Sequence, residues 1–565
     1  GTAVPSSSRH TVAAVSPLTG IWGEAHAGGT WAHALARTPF MGVVVRGKAR
    51  KPVYLYVNDG EAEIRDATHL WGKDTWETDE LVKKETNAGA SVSAIGQAGE
   101  NLVKLAAVMS DGRASRAAAR CGLGAVMGAK MLKAVVVRGT GAPPVIDHAG
   151  LKQSISGYYP RLKPFSREYM ERTMQAALGG RLKVLACVKN WSLGEMEGFD
   201  DKLVADWQQG DPIYCPGCRT ACRAGGMTRR GQRHIHGEVL YPFGSNCLID
   251  DFAALNEAFE LCNRYGLDTI SAGQVIAFAM ELYEKGLITK SDTGGIDLTW
   301  GNAPAMLQLL GEIGAGQGFG KLLGEGVREV ARQVGGLASE CAIHGKGLEF
   351  PLFDPRHKNA CALQYATSNR GADHLDGIVG VYNPPAQLLP YLQDDQVGEA
   401  IEDPFAVKGV GRLTARCQDF DAVLDSLQVC KFLAWARTWL REPAVPFAGV
   451  APDKLLEWLN LTTGWGLELK EFMRTGERIF NLKRAFNVRR GTSRKDDTLP
   501  PRILTQKRGG TSSTAQHLPP LGELLGDYYQ CRGWSEEGIP TKTKLAGLGL
   551  GDMWGGLGRA KQAGL

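Results

Sequence analysis

The sequence predicts an α+β chain, with a mixed β-sheet domain over residues 1–140 followed by two mainly helical domains over 141–346 and 347–565. Three observations lead there. A chain of 565 residues exceeds what one hydrophobic core supports, so several domains are expected. Short β-rich runs separated by Gly, Pro and Asn-Asp-Gly turns fill the first 140 residues. Beyond them, apolar residues recur at helical spacing between caps and glycine stops.

The predicted strands are Thr11–Val15, Gly42–Arg46, Val53–Val57, Glu63–Arg65, Val92–Ile95 and Val135–Val137, with one amphipathic helix at Asp79–Glu85. A Gly-Ala-Pro-Pro stretch from Gly141 closes this part. Asp250 and Asp251 then cap a helix over Phe252–Tyr265, whose Phe252, Leu255, Phe259 and Cys262 share one face, and Gly266 stops it. Leu267–Ser271 reads as a break before a second helix at Val275–Lys285, and a third spans Leu322–Val334. In the last third, Leu455–Leu459, Leu467–Arg474 and Glu477–Phe486 have helical spacing, ended by Asp496–Pro500.

Composition narrows the class. Hydrophobic content of 43% and charged content of 22% fit a globular protein, and no apolar run reaches the length of a membrane span. The net charge of +5 is small, with bases scattered among acids, which argues against a nucleic-acid surface. Twelve cysteines are too sparse for a disulfide scaffold, so a reducing cytoplasm and a metal centre are expected. The 72 glycines suggest close backbone approaches to something bulky.

One stretch is dense in thiols: Tyr214-Cys215-Pro216-Gly217-Cys218-Arg219-Thr220-Ala221-Cys222, a Cys-x2-Cys-x3-Cys run. Three thiolates so close cannot pair among themselves without strain and a leftover, but they can converge on a metal centre if the chain curls around it. Gly217 can take the positive φ that such a curl needs. A zinc site would show a second Cys or His pair at short range, and His234 and His236 are badly spaced for it. A radical enzyme with an open iron would carry the wider gap first. An iron–sulfur cluster therefore leads, and Cys430 is the candidate fourth ligand.

Two loops look built for anions. Ser16–Gly20 leads to Gly28 and Gly29, and Arg113, Arg116 and Arg120 precede the glycine-rich stretch Gly122–Gly128. A dinucleotide turn would need a strand just before it, and Ala117–Ala119 does not read as one; glycines for close helix packing are the plainer alternative. An internal echo joins Asn263-Arg-Tyr-Gly266-Leu-Asp268 to Asp425-Ser-Leu-Gln428-Val-Cys430, each at a helix end. Two such elements could hold two halves of one cofactor.

Ser16–Gly20, Ile64–His69, Gly99–Val103, Gly122–Gly128, the cysteine run, Gly266–Ser271, Tyr365–Gly371, Cys430 and Arg532-Gly-Trp534 occur in an order that resembles the tungsten-dependent aldehyde ferredoxin oxidoreductase family along nearly the whole chain. The resemblance implies a β domain and two helical domains around a tungsten held by two pyranopterins, beside a [4Fe–4S] cluster. It implies cluster ligation by Cys215, Cys218, Cys222 and Cys430, and pterin N–H groups bonded to Asp268 and Asp425. Arg116, Ala117, Ala119 and Arg120 would lie along the pterins and their phosphates, with Gly28 opposite, and Arg9 would bridge cluster and pterin. His26, Asn263, Asn369, Arg370 and Val429 complete the cofactor-facing set it implies, with Mg2+ bridging the phosphates and molybdenum as the alternative metal.

Glu238 aligns with the family's carboxylate next to tungsten, a general base for water, and His374 with its histidine near the metal. Read alone, the first is a surface carboxylate and the second a satisfied core histidine. The implied reaction oxidises aldehydes to carboxylic acids and passes electrons to ferredoxin or small iron–sulfur subunits, in a cytoplasmic protein with no nucleic-acid partner and a homodimer as one assembly. Departures from the family are His26 for asparagine, Asn263 for aspartate, Gln428 and Ala119 for glycine, and the stretch Arg229–His236 ahead of Glu238. The family's opening segment has no counterpart ahead of Gly1, so either the chain is incomplete or its first sheet lacks a strand. The alternatives are a benzoyl-CoA-reductase-like catalytic subunit with the same cofactor and, in another class, a zinc-stabilised binding protein without redox activity.

Overall fold

The computed structural model describes residues 1–162, 186–199, 202, 212–218, 223–224, 237–377, 384, 388–392, 396–435, 449–512 and 514–555. Eight strands occupy the first 140 residues: β1 His10–Val15, β2 Trp22–Ala27, β3 Val53–Asn58, β4 Glu61–Asp66, β5 Ser91–Ala94, β6 Val108–Ser110, β7 Arg116–Ala118 and β8 Leu132–Arg138. Six form one sheet in the order β4-β3-β8-β5-β6-β7, mixed because β3 and β8 run parallel while the other pairs are antiparallel. β1 and β2 form a separate antiparallel hairpin, His10 opposite Ala27.

Two expectations about strands fail. Gly42–Arg46 forms no strand: Val44 is 83% exposed and no ladder joins the segment to the sheet, so β-propensity without a partner leaves it irregular. Conversely Arg116–Ala118 does form a strand, the edge strand β7 paired with β6, because the neighbouring ladder supplies what its composition does not.

The rest is mainly helical where described, with two short hairpins, Pro212–Ile213 with Arg223–Ala224 and His344–Gly345 with Leu348–Glu349. α1 Thr75–Glu85 starts earlier than its apolar pattern suggests because Asp74 and Glu77 form a capping box. α2 Phe252–Tyr265 ends at Gly266, φ +72°, and α3 Thr269–Glu284 begins at once, since Asp268 accepts the N–H of Ile270; the expected break before Val275 is absent. The expected helix Leu322–Val334 is two, Gly318–Leu323 and α4 Val327–Val334, parted at Gly324–Gly326. α5 Asn359–Thr367, α6 Val410–Leu427, α7 Leu469–Arg489 and α8 Leu521–Arg532 follow, α7 running through both segments expected as separate helices. A methyl on Gly476 would stand 2.0 Å from the Asp419 carbonyl, so glycine lets α7 lie against α6. One buried apolar cluster runs from Val4 and the β1–β2 hairpin through α2, α3, α5 and α6 to Trp534, and the site lies where the hairpin meets these helices. No described helix is long and apolar enough to cross a membrane.

Candidate functional site

The thiols are gathered by the N-terminal segment. Gly217 takes φ +69°, the Cys218 N–H donates to the Cys215 carbonyl (3.0 Å), and Ser6 stitches this turn to the far one. Its N–H donates to the Gly217 carbonyl (3.1 Å) and its carbonyl accepts the N–H of Cys430 (3.0 Å). At the end of β2, the Gly29 N–H donates to Cys215 Sγ (3.2 Å), and a methyl on Gly28 would stand 2.9 Å from that sulfur. Arg9 spans the gap, Nη1 reaching Cys430 Sγ at 3.9 Å and Nη2 donating to the His26 carbonyl at 3.2 Å. Such N–H donors stabilise thiolate charge. Cys222 lies outside the described residues.

The echo in the sequence is an echo in structure. Each helix ends in a left-handed residue, Gly266 after α2 and Gln428 (φ +56°) after α6, and each turn delivers its last residue as the N-cap of the next helix. Asp268 shares one oxygen with Ile270 N–H; its Oδ2 lies 3.3 Å from Arg120 Nε, and neither atom completes a hydrogen bond. Asp425 ion-pairs with Lys431 (2.8 Å), and His26 Nε2 lies 3.6 Å away. Thr11 ties the other His26 nitrogen to Gln428. Burial pushes the His26 imidazole down to about 4, despite Asp425 and Glu24 beside it. Burial would raise the Asp425 carboxyl, but His26 and Lys431 hold it well below the usual range. Asn263 turns its amide back to the Phe259 carbonyl (2.7 Å), and Val429 is buried against the Leu424 carbonyl.

The opposite wall comes from β7 and from the loop after α5. Arg116 is buried, Ala117 pairs with Met109, and Ala119 leads into Arg120, which donates to the Glu349 carbonyl while its Nη1 and its Nε, ion-paired with Asp268, complete no hydrogen bond. Asn369 donates to the Phe480 carbonyl (3.2 Å) and keeps Oδ1 unpartnered. Arg370 donates to the Glu24 carbonyl (2.7 Å) and meets Asp373. His374 stands 5.5 Å from the Phe353 ring, with Nδ1 buried, unpartnered and 3.8 Å from Asp373. Burial, with Arg120 and Arg370 nearby, lowers its pKa to about 3, so the imidazole is neutral at pH 7. Glu238 sits in the short turn Gly237–Val239, partly exposed.

Sequence reasoning missed Glu24, Lys431, Lys483, Asp373, Ser271 and Glu349. Glu24, His26 and Asp425 bring ligand atoms within 4.8 Å of one another, but Lys483 (2.6 Å from Glu24) and Lys431 neutralise the carboxylates. Unpartnered buried atoms on Arg120, Asp268, Asn369 and His374 line one region; native interiors rarely leave such atoms without a ligand, ion or water. The residues therefore fit a bulky polar cofactor with a thiolate-bound centre beside it.

Comparison with known proteins points the same way. Residues 1–139 match the family model "Aldehyde ferredoxin oxidoreductase, N-terminal domain", and residues 181–550 match "Aldehyde ferredoxin oxidoreductase, domains 2 & 3". The tungsten-containing aldehyde ferredoxin oxidoreductase of Pyrococcus furiosus is 34% identical over 568 residues, 98% of this chain and 89% of that protein. An aliphatic sulfonate oxidoreductase, WOR-like subunit, of the same organism is 28% identical over 551 residues, 90% of this chain and 80% of that one. Among solved structures, the active site complex BamBC of benzoyl coenzyme A reductase with 1,5-dienoyl-CoA superposes at a TM-score of 0.79 and 26% identity, covering 100% of this chain and 89% of that one.

Proposed function

The chain belongs to the aldehyde ferredoxin oxidoreductase family, and from that premise we propose that it oxidises aldehydes to carboxylic acids with water at a tungsten bis-pyranopterin centre, passing electrons through a [4Fe–4S] cluster to ferredoxin or small iron–sulfur subunits. The observation that carries the reading is Arg9, whose guanidinium touches Cys430 Sγ and the His26 carbonyl, between the thiol turn and the hairpin facing Asp425. A protein that only bound zinc at Cys215 would have no use for Cys430 there.

When bound, the metal would supply two-electron chemistry and the cluster one-electron transfer. The chain's own residues do the rest. Cys215, Cys218, Cys222 and Cys430 would hold the cluster, and Asp268 and Asp425 would accept N–H groups of the two pterins. Arg116, Arg120 and Arg370 would balance the phosphates, with Ala117, Ala119, Gly28, Asn369, Val429, Asn263 and His26 against the cofactor and its Mg2+. Glu238 would take the proton from water or the aldehyde hydrate. His374, neutral through burial, would orient the carbonyl through a hydrogen bond without adding charge.

Elemental analysis of protein purified without oxygen, followed by aldehyde-dependent viologen reduction, tests the reading. About one tungsten and about four irons per chain are expected, with turnover lost in Glu238→Ala; full turnover in that variant removes Glu238 as the base. The likeness to the benzoyl coenzyme A reductase complex favours a second reading, low-potential reduction of an aromatic thioester. Full metal content without aldehyde turnover would select it. Zinc alone would overturn both.

A further inference from the structure

Glu349 is a fully buried acid outside every motif of the sequence. It ends the short hairpin of His344–Gly345 and Leu348–Glu349, and its Oε1 accepts the N–H of Val327 (2.9 Å), which opens α4. Its Oε2 has no partner. The Ser271 hydroxyl, close enough to interact with the Glu349 carboxyl, likewise completes no hydrogen bond, nor do Arg120 Nη1 and the Arg120 Nε and Asp268 Oδ2 that ion-pair at 3.3 Å. These groups form one patch: Arg120 donates to the Glu349 carbonyl, Asp268 lies against Arg120, and Ser271 follows Asp268 by three residues at the start of α3.

We propose that Glu349 is a further cofactor-holding residue, whose Oε2–H donates a hydrogen bond to the pterin edge that Asp268 and Arg120 face; this rests on the pterin reading given above. The chemistry of that edge supports it. A pterin presents an amino group and a ring N–H, both donors, next to a ring carbonyl that only accepts. A carboxylate such as Asp268 matches the donors and cannot serve the carbonyl. The geometry leaves Oε2 free for that carbonyl, and burial raises the Glu349 pKa from its ordinary value, in the direction that favours the protonated donor, with the Ser271 hydroxyl as neighbour.

Four variants test this: E349Q, E349L, V327P and S271A, each purified without oxygen with pterin and iron measured per chain. E349Q keeps a neutral donor and should hold pterin at the wild-type level. E349L should lose it at least fivefold while iron stays at the wild-type level. V327P removes only the N–H that Oε1 accepts, at a helix position that tolerates proline, and should keep its pterin. Pterin loss in V327P equal to that in E349L would assign the effect to the α4 cap and overturn the inference. Equal loss in E349Q and E349L would make Glu349 an ionised acceptor, which also overturns it, as would retention in E349L. If E349L does not accumulate, S271A decides: pterin should fall about twofold, and unchanged content sinks the proposal. A wild-type protein without pterin would overturn the cofactor reading and this inference together, whereas pterin indifferent to all four variants overturns this inference alone.

Discussion

The turns Asn263–Asp268 and Asp425–Cys430 share a backbone and differ in charge. Both pass through one left-handed residue and hand a carboxylate or thiol to the site. Asp425 is already answered by Lys431 and His26, with Gln428 and Thr11 bracing the imidazole. Asp268 has one oxygen in a helix cap and the other ion-paired with Arg120 at 3.3 Å without completing a hydrogen bond. One turn is answered within the chain; the other keeps hydrogen-bonding capacity for the cofactor we propose it holds. The sulfur-bearing turn is thus built to stay rigid around the proposed cluster, and the other to be judged by cofactor retention.

The largest expected effect follows from that difference. Removing one member of a buried ion pair leaves an uncompensated charge and costs about 3–5 kcal/mol, so D425N should lower the thermal midpoint of metal-free protein steeply, because Lys431 is almost fully buried. D268N keeps the helix cap, which asparagine serves as well as aspartate does, but removes the carboxylate 3.3 Å from buried Arg120, so it should cost more than a cap change yet less than D425N, whose carboxylate Lys431 meets at 2.8 Å. Thermal unfolding of the two variants side by side checks this. Equal shifts would break the comparison.

A second, smaller effect is in pH. His26 titrates near 4 in the folded protein and near 6.5 when unfolded. Between those values the unfolded chain binds the extra proton, so stability rises with pH across the window, is complete above about 6.5 and is lost as pH falls toward about 4. Each such proton contributes about 1.4 kcal/mol per pH unit at most. H26N should flatten the dependence between pH 4 and 6.5 by up to that slope, as read from denaturation midpoints. An unchanged slope would mean that burial does not lower the His26 pKa in the folded protein.

Local signals explain what was legible in the sequence. The sheet, the α2 stop at Gly266 and the thiol curl at Gly217 rest on short-range rules, and they were found. Gly42–Arg46 and Arg116–Ala118 were misread because a strand depends on its neighbour, which composition does not contain. The break expected after Leu267 vanished because a single cap, Asp268, overrode it. Glu24, Lys483 and Glu349 carry no motif, since each acquires its role from a residue more than twenty positions away or from burial alone. Asp268, Asp425 and Cys430 were reached through a six-residue echo and a family resemblance, and the structure gives the echo a backbone cause in its two left-handed turns.

The smallest expected effect tests the turns themselves. Gly266 has φ +72°, and a methyl there would stand 3.0 Å from the Gly96 nitrogen, so G266A combines about 1 kcal/mol of left-handed strain with a contact that backbone cannot relieve. It should cost about 1–2 kcal/mol. Q428G removes the same strain at φ +56° but gives up Nε2 bonds to Thr11 Oγ1 (2.9 Å) and the Asp425 carbonyl (2.7 Å), about 1 kcal/mol each. Its net change should lie within about 1 kcal/mol of zero, measured from denaturant midpoints with the slope unchanged. The sign carries the information. A stabilised Q428G would show that glutamine is kept for bracing Thr11 and His26 beside Asp425 and not for folding, whereas a loss as large as that of G266A would make the two turns structurally equivalent and leave charge as their single difference.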